Sequence, residues 1–386
     1  MSVPSSVSYA DDDSGFHREL HRRVDAYFEE NDLTRKATWP FILNAVFVLA
    51  VMFGSYGMIV SGQFGGWTLF GLQLLNGLFM FIGTLTIAHD ATHNAFSEKE
   101  WVNKALSYVF DLCGINSYIW DFNHMRSHHA GPNVPEYDAA IDCFGVFRLH
   151  PKGEWNPIQR YQHWYILLIY GVSTLFKWFY LDYYTLTRKQ VGGVEIEDHD
   201  PKETVILFAS KAFLYLYAIV IPLMVVPVPW YQYMAGFLAY HFMGGMIIAF
   251  VFQVTHLSER TEFIEPDEDG QLPDSFAVHT FKVTADYSTD SPLARWIGGG
   301  LNMHVAHHLF PDICQVHLPD ITDICRETAE EYGVPYKAYP SALSAFGSHL
   351  RLLKKLGEQE EFEPNPEGRV RPLPARDSCS TRRPLS

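Results

Sequence analysis

Charged side chains are missing from two long stretches of this sequence. The 386 residues include 29 Lys and Arg against 44 Asp and Glu, yet residues 37–89 and 212–258 contain none of these four types. About 20 apolar residues are enough to cross a ~30 Å hydrocarbon core as a helix, so each window can cross twice. The remaining residues carry the charge density of ordinary soluble domains. These two facts exclude a wholly water-soluble fold, and they also exclude a protein that is almost entirely membrane-embedded.

The sequence contains few cysteines, and their spacing does not indicate disulfide bonds. The five cysteines form no Cys-x-x-Cys pair, which argues against a disulfide framework and against a thiolate zinc site. Asp11, Asp12 and Asp13 stand where a cleaved signal peptide would need positive charge followed by an apolar run, so none is expected. The net charge of −15 and the lack of a basic cluster predict no nucleic-acid partner.

Each charge-free window is divided by a short turn. The turns lie at residues 61–66 and 227–229, and we read each window as a helical hairpin. The predicted membrane spans lie near 40–60, 67–88, 204–226 and 231–255. A further apolar segment, 161–181, contains Lys177 and is ambiguous on composition alone.

The flanking regions are soluble in character. Residues 1–36 form an N-terminal segment with an amphipathic helix over 14–31, which we expect to pack on the rest of the protein. Two more helices are predicted at 319–331 and 341–356. Residues 358–386 are rich in Pro, Arg, Ser and Glu and are expected to form a disordered tail.

Nine of the eighteen histidines are placed as metal ligands would be. Two or three imidazoles spaced three or four residues apart share one face of a helix and aim at one point. Three such groups occur, and an isolated histidine follows the last span. The candidate ligands are His89 and His93, His124, His128 and His129, His256, and His304, His307 and His308.

Nine imidazoles exceed what one tetrahedral zinc can use. Two metal ions with four or five imidazoles each are more economical, and imidazole alone does not choose between iron, copper, zinc and nickel. The clusters contain no cysteine, which excludes iron–sulfur and blue-copper patterns. We expect seven further residues to orient the ligands: Asp90, Asn133, Gln253, His279, Asp286, Asn302 and His317.

Convergence of the histidines constrains the topology. Ligands of one centre must lie on one side of the bilayer, so the chain crosses an even number of times between His93 and His256. We therefore expect four spans, with 161–181 interfacial or re-entrant. Two crossings precede His89, so the N-terminus lies on the histidine side, where Arg35 and Lys36 flank the first span. The positive-inside rule then makes this side, and both termini, cytoplasmic.

The three histidine groups resemble the boxes of the membrane fatty acid desaturase superfamily, and most closely those of front-end and bacterial linoleoyl-CoA-desaturase-like members. Segments 114–120, 284–286, 299–302 and 308–311 support the resemblance, which extends over about 15–355. It implies an all-α integral membrane protein in which residues 37–357 form the desaturase domain. It also implies four transmembrane helices, interfacial helices and a cytosolic helical cap housing two iron ions. The implied reaction is the O₂-dependent removal of two hydrogens from an acyl chain.

Three positions depart from the front-end pattern. His304 stands where these members usually have Gln, Ala306 where they often have Glu, and Ala130 where Thr usually follows the paired histidines. The departures bear on the reaction outcome, so a hydroxylase or another oxidative enzyme such as a decarboxylase is the alternative. A metal transporter is a remote alternative of another class.

The resemblance also implies partners. A fused haem domain would carry a His-Pro-Gly-Gly signature, which these 386 residues lack, so electrons are expected from a separate ferredoxin or cytochrome. The acyl substrate could be linked to CoA, lipid or a carrier protein. Trp120, Trp164, Trp178 and Trp230 are read as interfacial anchors, with the lining of an acyl tunnel as the alternative.

Overall fold

The computed structural model describes residues 7–141 and 145–358, and these are mostly helical. The predicted disordered tail at 358–386 lies, apart from its first residue, outside the described residues. The described helices of four or more residues are α1 (Phe16–Glu30), α2 (Trp39–Val60), α3 (Gly66–Thr92), α4 (Glu100–Ser107), α5 (Val109–Leu112), α6 (Ser117–Trp120, continued by a π-helical turn over Asp121–His128), α7 (Pro157–Leu186), α8 (Pro201–Val225), α9 (Trp230–His256), α10 (Phe276–Val283), α11 (Pro292–Gly298), α12 (His304–Leu309), α13 (Leu318–Tyr332) and α14 (Ala342–Glu358).

Within the described residues, six short strands form three pairs. They are β1 (Ser8–Tyr9), β2 (Gln190–Val191), β3 (Val194–Glu195), β4 (Gln271–Leu272), β5 (Asp286–Tyr287) and β6 (Ala338–Tyr339). Pairs β1–β4 and β5–β6 are parallel, and β2–β3 is an antiparallel hairpin. Each parallel pair joins residues far apart in sequence. The pairs therefore connect loops outside the apolar hairpins and do not extend into a larger sheet.

Five helices of the described chain are long and apolar enough to cross a membrane: α2, α3, α7, α8 and α9. Four of them match the predicted spans closely, and the fifth, α7, contains the ambiguous segment 161–181. The turns of the two hairpins lie side by side, since a Cβ on Gly62 would stand 2.7 Å from the Val225 carbonyl oxygen. Exposed Trp67 and Trp230 mark this end, as expected of aromatic anchors at a membrane surface.

Polar side chains inside the hairpins bind backbone carbonyls of neighbouring helices. The Asn76 amide donates to the Met52 carbonyl at 2.7 Å, and the Gln73 amide to the Tyr233 carbonyl at 2.9 Å. Each bond crosses between helices, which matters because an unpaired polar group in hydrocarbon costs several kcal/mol. These bonds fix α3 between α2 and α9, and α3 and α9 both lead to histidines.

Both ends of α7 lie close to the histidine groups. At its start, the Gln162 amide donates to the Leu353 carbonyl of α14 (2.7 Å), while His349 of α14 binds the Leu257 carbonyl next to His256 (2.7 Å). After its end, the Gly193 amide donates to the Tyr137 carbonyl at 2.8 Å, and Ser127 beside His128 binds the same carbonyl. Helix α7 therefore leaves the histidine end of the molecule and its chain returns there.

A buried ion pair fastens the segment before α6. Lys211 of α8 contacts the Asp182 carboxylate at 2.7 Å, and both side chains are nearly inaccessible. The Lys211 ammonium also donates to the Gly114 carbonyl (2.8 Å), and Asp182 accepts the Asn116 backbone N–H (2.9 Å). Gly114 has φ of 85°, and a Cβ there would lie 1.7 Å from the Trp178 indole nitrogen. Only glycine fits this position, where the chain turns towards α6.

The helices outside the apolar hairpins have their own apolar core, which includes α1. Phe16, Leu20, Val24 and Phe28 recur on one face of α1 and are buried against α10, α12 and α13. The expectation that the amphipathic helix packs on the rest of the protein is confirmed. The two helices predicted near the C-terminus are also confirmed, as α13 and α14.

Candidate metal centre

The nine clustered histidines come from the ends of four helical segments. Helix α3 contains a π-helical turn over Thr84–Ala88. His89 lies in the last turn of α3, and His93 follows its end. The π-helical turn after α6 carries His124 and His128, with His129 next in the chain. Helix α9 ends at His256, and the short helix α12 carries His304, His307 and His308. Extra residues in π-helical turns are frequent at functional sites, because they redirect side chains without ending the helix.

Eight of the nine imidazoles form two groups of four buried side chains. Within each group, one nitrogen per ring lies within 4.8 Å of the others. Cluster A is His89, His93, His124 and His307, and cluster B is His128, His256, His304 and His308. Each cluster combines residues that are far apart in sequence, so the two groups exist only in the folded chain.

His129 lies between the two clusters. Its Nε2 is 3.2 Å from the Nε2 of His124 and 3.2 Å from that of His307, both in cluster A. Its ring stacks on His308 of cluster B at a centroid distance of 4.3 Å. The nine imidazoles thus divide into five directed at one point and four at another.

The nitrogen separations fit metal coordination. Nε2 atoms of His89 and His93 lie 3.1 and 3.3 Å from that of His124, and those of His256 and His308 are 3.0 Å apart. With metal–nitrogen bonds of about 2.1 Å, adjacent ligand nitrogens lie about 3.0 Å apart in an octahedron and about 3.4 Å apart in a tetrahedron. The observed values match this range, so the residues present fit a pair of metal ions.

Burial favours the neutral form of most of these imidazoles, which metal binding requires. Loss of hydration and the neighbouring imidazoles together lower the pKa of His93 and His304 to about 3. The same two causes lower the pKa values of His124, His129, His307 and His308 well below the usual range. A neutral imidazole keeps a lone pair for a metal, so no proton has to be displaced at neutral pH.

One acidic residue that contacts a clustered histidine was not predicted from the sequence. The Asp138 carboxylate accepts a hydrogen bond from His128 Nδ1 at 2.9 Å, and Asp138 is fully buried. The two residues are ten positions apart, with no helical or strand periodicity between them. The only available signal was an acidic residue shortly after a histidine group, which is weak.

The seven predicted orienting residues mostly hold the backbone that carries the histidines. Asp90 accepts the Gln315 backbone N–H (3.1 Å), and Asp286 accepts that of Val305 within α12 (2.9 Å). Asn133 donates to the His256 carbonyl at 2.7 Å. The others bind the carbonyls of Pro132 (His279), Tyr287 (Asn302) and Lys36 (His317), while the buried Gln253 side-chain oxygen has no partner.

Two of the four tryptophans are not exposed as anchors at a membrane surface would be. Trp164 and Trp230 are 72% and 68% exposed, as anchors are, but Trp120 and Trp178 are 8% and 0% exposed. That interpretation is wrong for the last two, because their rings pack inside the protein. Trp120 packs on His124 with ring centroids 4.6 Å apart and also contacts Phe110 and Phe252. An aromatic wall therefore borders cluster A.

Comparison with known proteins gives a consistent result. The family model described as fatty acid desaturase matches residues 65–340, which include all nine clustered histidines. The chain is 31% identical over 351 residues to the sn-1 linoleoyl-lipid 6-desaturase of Synechocystis sp., covering 89% of this chain and 96% of that protein. It is 30% identical over 362 residues to the acyl-lipid (8-3)-desaturase of Physcomitrium patens, covering 92% and 75% of the two chains.

The paired histidine clusters, the apolar hairpins and these relatives agree, and several relatives are desaturases of the kind that the sequence resemblance indicated. The chain is a membrane protein of the fatty acid desaturase family, an oxidoreductase that desaturates acyl chains.

Proposed function

We propose that this chain is an O₂-dependent di-iron desaturase acting on the acyl chain of a membrane lipid, with electrons from a separate ferredoxin or cytochrome. The observation that carries the proposal is the division of nine buried imidazoles into two metal-sized clusters at the ends of membrane-embedded helices. The proposed ligands are all nine, with His89, His93, His124, His129 and His307 at one ion and His128, His256, His304 and His308 at the other.

The chemistry needs a metal because an unactivated methylene has no acidic proton for a side chain to remove. A bound iron pair would supply the oxidising power to abstract hydrogen with O₂ as oxidant. The protein supplies neutral ligands, open coordination positions and a site closed to water. All eight residues of clusters A and B are buried, and Trp120 and Phe252 add an apolar wall next to His124. Such a wall is suited to holding a methylene near the metals.

The lipid form of the substrate is favoured by the relatives. The Synechocystis protein is named for a linoleoyl-lipid and the Physcomitrium protein for an acyl-lipid. His89 and His256 lie at the ends of apolar helices, so a bilayer around those helices would hold such a substrate next to the histidine clusters. We therefore place lipid-linked acyl chains ahead of CoA or carrier-protein esters.

Hydroxylation, the alternative outcome, was suggested by Ala306 and by Ala130 after the paired histidines. Ala306 is fully buried in the apolar core of the cap, among Phe16, Leu20 and Leu309. The Ala130 side chain packs against an apolar cluster that includes Val134 and Leu272. Both departures thus have a packing role, which weakens the reason for expecting a hydroxylase or decarboxylase.

Product analysis tests the proposed function. Purified protein, an acyl-lipid in vesicles, O₂, and a reductase with ferredoxin should give a product two hydrogens lighter than the substrate, detected by mass spectrometry. Omitting the ferredoxin should abolish the product, because no electrons would reach the site. A hydroxylated or chain-shortened product in place of the alkene would contradict the proposal, and a system that runs without a donor protein would contradict the electron route.

We also propose that four helices span the membrane, with α7 entering and leaving on the cytoplasmic, histidine side. The contacts at both ends of α7 support this. Gly193, which binds the Tyr137 carbonyl, lies only seven positions after Leu186, and seven extended residue steps reach about 25 Å. That is shorter than a ~30 Å hydrocarbon core. Three complete crossings between His129 and His256 would also separate rings that lie in contact.

Cysteine labelling tests this topology. In a variant whose Cys143 and Cys379 are replaced by serine, single cysteines at Lys152, Lys189 and Gln63 would be probed with a membrane-impermeant maleimide. We expect Gln63→Cys to react in intact cells, and Lys152→Cys and Lys189→Cys to react only after lysis, because all three positions are exposed and only the first lies at the hairpin turns. Opposite accessibility of Lys152→Cys and Lys189→Cys would mean that α7 crosses completely.

A further inference from the structure

The two histidine clusters differ in how their outer ring nitrogens are held. In cluster B, His128 Nδ1 binds Asp138 at 2.9 Å, His304 Nδ1 binds the Leu301 carbonyl at 3.0 Å, and His256 Nδ1 binds the Val283 carbonyl at 3.3 Å. Each bond fixes the tautomer and turns the Nε2 lone pair towards the cluster. Three of the four rings in cluster B are therefore oriented before any metal binds.

Cluster A has a different arrangement. The Nδ1 atoms of His89 and His93 are buried with no hydrogen-bond partner. The acidic side chain next to His89, Asp90, binds the Cys314 thiol and the Gln315 backbone instead of an imidazole. Rings without an outer partner have no preferred tautomer, so part of the binding free energy goes into orienting them.

Asp138 is the feature that distinguishes the two sites most clearly. Its carboxylate accepts the Asn133 and Ala140 backbone N–H groups at 2.9 and 2.8 Å in addition to His128 Nδ1. Within residues 7–141 and 145–358, no lysine or arginine forms an ion pair with it. A buried carboxylate needs a compensating positive charge, and a cation bound through His128 provides one.

We infer that the two metal positions are unequal: cluster B binds its ion more tightly than cluster A, and Asp138 is the positioning residue that makes the difference. This inference rests on the proposed di-metal function. The carboxylate holds the His128 ring in one orientation and one tautomer, with Nε2 directed at the cluster, which strengthens the bond from Nε2 to the ion. Cluster A is the position that releases its ion first.

Chelation of the iron-loaded protein tests the inference. The full chain in detergent, loaded anaerobically with Fe²⁺, would be mixed with excess ferrozine, and iron release would be followed by absorbance. We expect one equivalent to leave quickly and one at least about ten-fold more slowly. In Asp138→Asn the slow release should accelerate about 10–100-fold, the usual effect of removing such a partner. Asp138→Glu keeps a carboxylate at this position, so its slow release should have a rate between those of the wild type and of Asp138→Asn.

Two sets of variants assign the phases and control for folding. His93→Ala should remove the fast equivalent and leave the slow one, whereas His304→Ala should remove the slow one, so the assignment does not depend on Asp138→Asn folding. Glu203→Gln is the matched control, because it also removes the charge of a largely buried carboxylate, but Glu203 binds Lys104 rather than a clustered histidine. In this control variant the rate of the slow iron release should change by less than about two-fold.

The outcomes separate this inference from the proposed function. Two equivalents leaving at one rate, or loss of the slow equivalent in His93→Ala, would overturn the inequality while leaving a di-metal enzyme intact. An equal change in Asp138→Asn and Glu203→Gln would overturn the role of Asp138. A folded wild-type protein that binds no iron would overturn the proposed function as well.

Discussion

Replacement of His128 by alanine is expected to abolish desaturation and to remove the metal ion of cluster B. His128 is buried, its outer nitrogen is held by Asp138, and its ring contacts His256 at a centroid distance of 4.5 Å. Removing a residue that only orients a ligand typically costs 10–100-fold in metal affinity or activity, so we expect removal of the ligand itself to cost at least about 100-fold. Metal content per chain and product formation from an acyl-lipid would measure the two effects.

A matched histidine variant controls for general damage. His21 lies exposed on α1, outside clusters A and B, so His21→Ala should retain both metal content and activity. The variant His128→Ala should still be recovered as a folded protein, because the surrounding helices keep their other contacts. Full activity and two metal ions in His128→Ala would refute its assignment as a ligand.

Lys211→Met is expected to destabilise the protein strongly. It leaves the Asp182 carboxylate buried between α7 and α8 without its ammonium partner, and it removes the donor to the Gly114 carbonyl. Breaking a buried ion pair in this way typically costs about 3–5 kcal/mol. Because Asp182 also binds the Asn116 backbone before α6, we expect lower metal occupancy together with a lower melting temperature in detergent.

Two comparisons show whether the lost charge pair is the cause. The double variant Lys211→Met with Asp182→Asn removes both charges, keeps an acceptor for Asn116, and should recover at least half of the lost stability. Lys104→Met breaks a half-exposed bridge to Glu203 and should cost less than about 1 kcal/mol. Equal losses in Lys104→Met and Lys211→Met would contradict this explanation.

The parts of the molecule that depend on local pattern could be predicted from the sequence. The hairpins were found because a run of uncharged apolar residues has few alternatives to a membrane helix. Eight of the nine candidate ligands were found because their spacing places several imidazoles on one helical face, and His256 was found because it follows the last span. The structure brings eight of them into two buried groups of four, and the number of bound ions stays a prediction.

The parts that depend on tertiary contacts were not predictable. Asp138 reaches His128 through a loop in which Asn133 and Glu136 have φ of 56° and 68°, conformations that no periodicity signals. The membership of the clusters combines residues from different boxes, which spacing within one box cannot reveal. Trp120 and Trp178 lie inside the protein because Phe252 and His241 of α9 pack on their rings. Hydropathy does not distinguish such a ring from an anchor at the bilayer surface.

The π-helical turn over Thr84–Ala88 separates two requirements on α3. Up to Gly83, the angular position of each side chain is set by packing against α2 and α9, whereas from His89 onwards it is set by the metal centre. An inserted residue in such a turn shifts the phase between these two parts by about 100°. The membrane half of α3 can therefore exchange its packing residues without re-aiming His89, so bilayer adaptation and ligand geometry can change independently within one continuous helix.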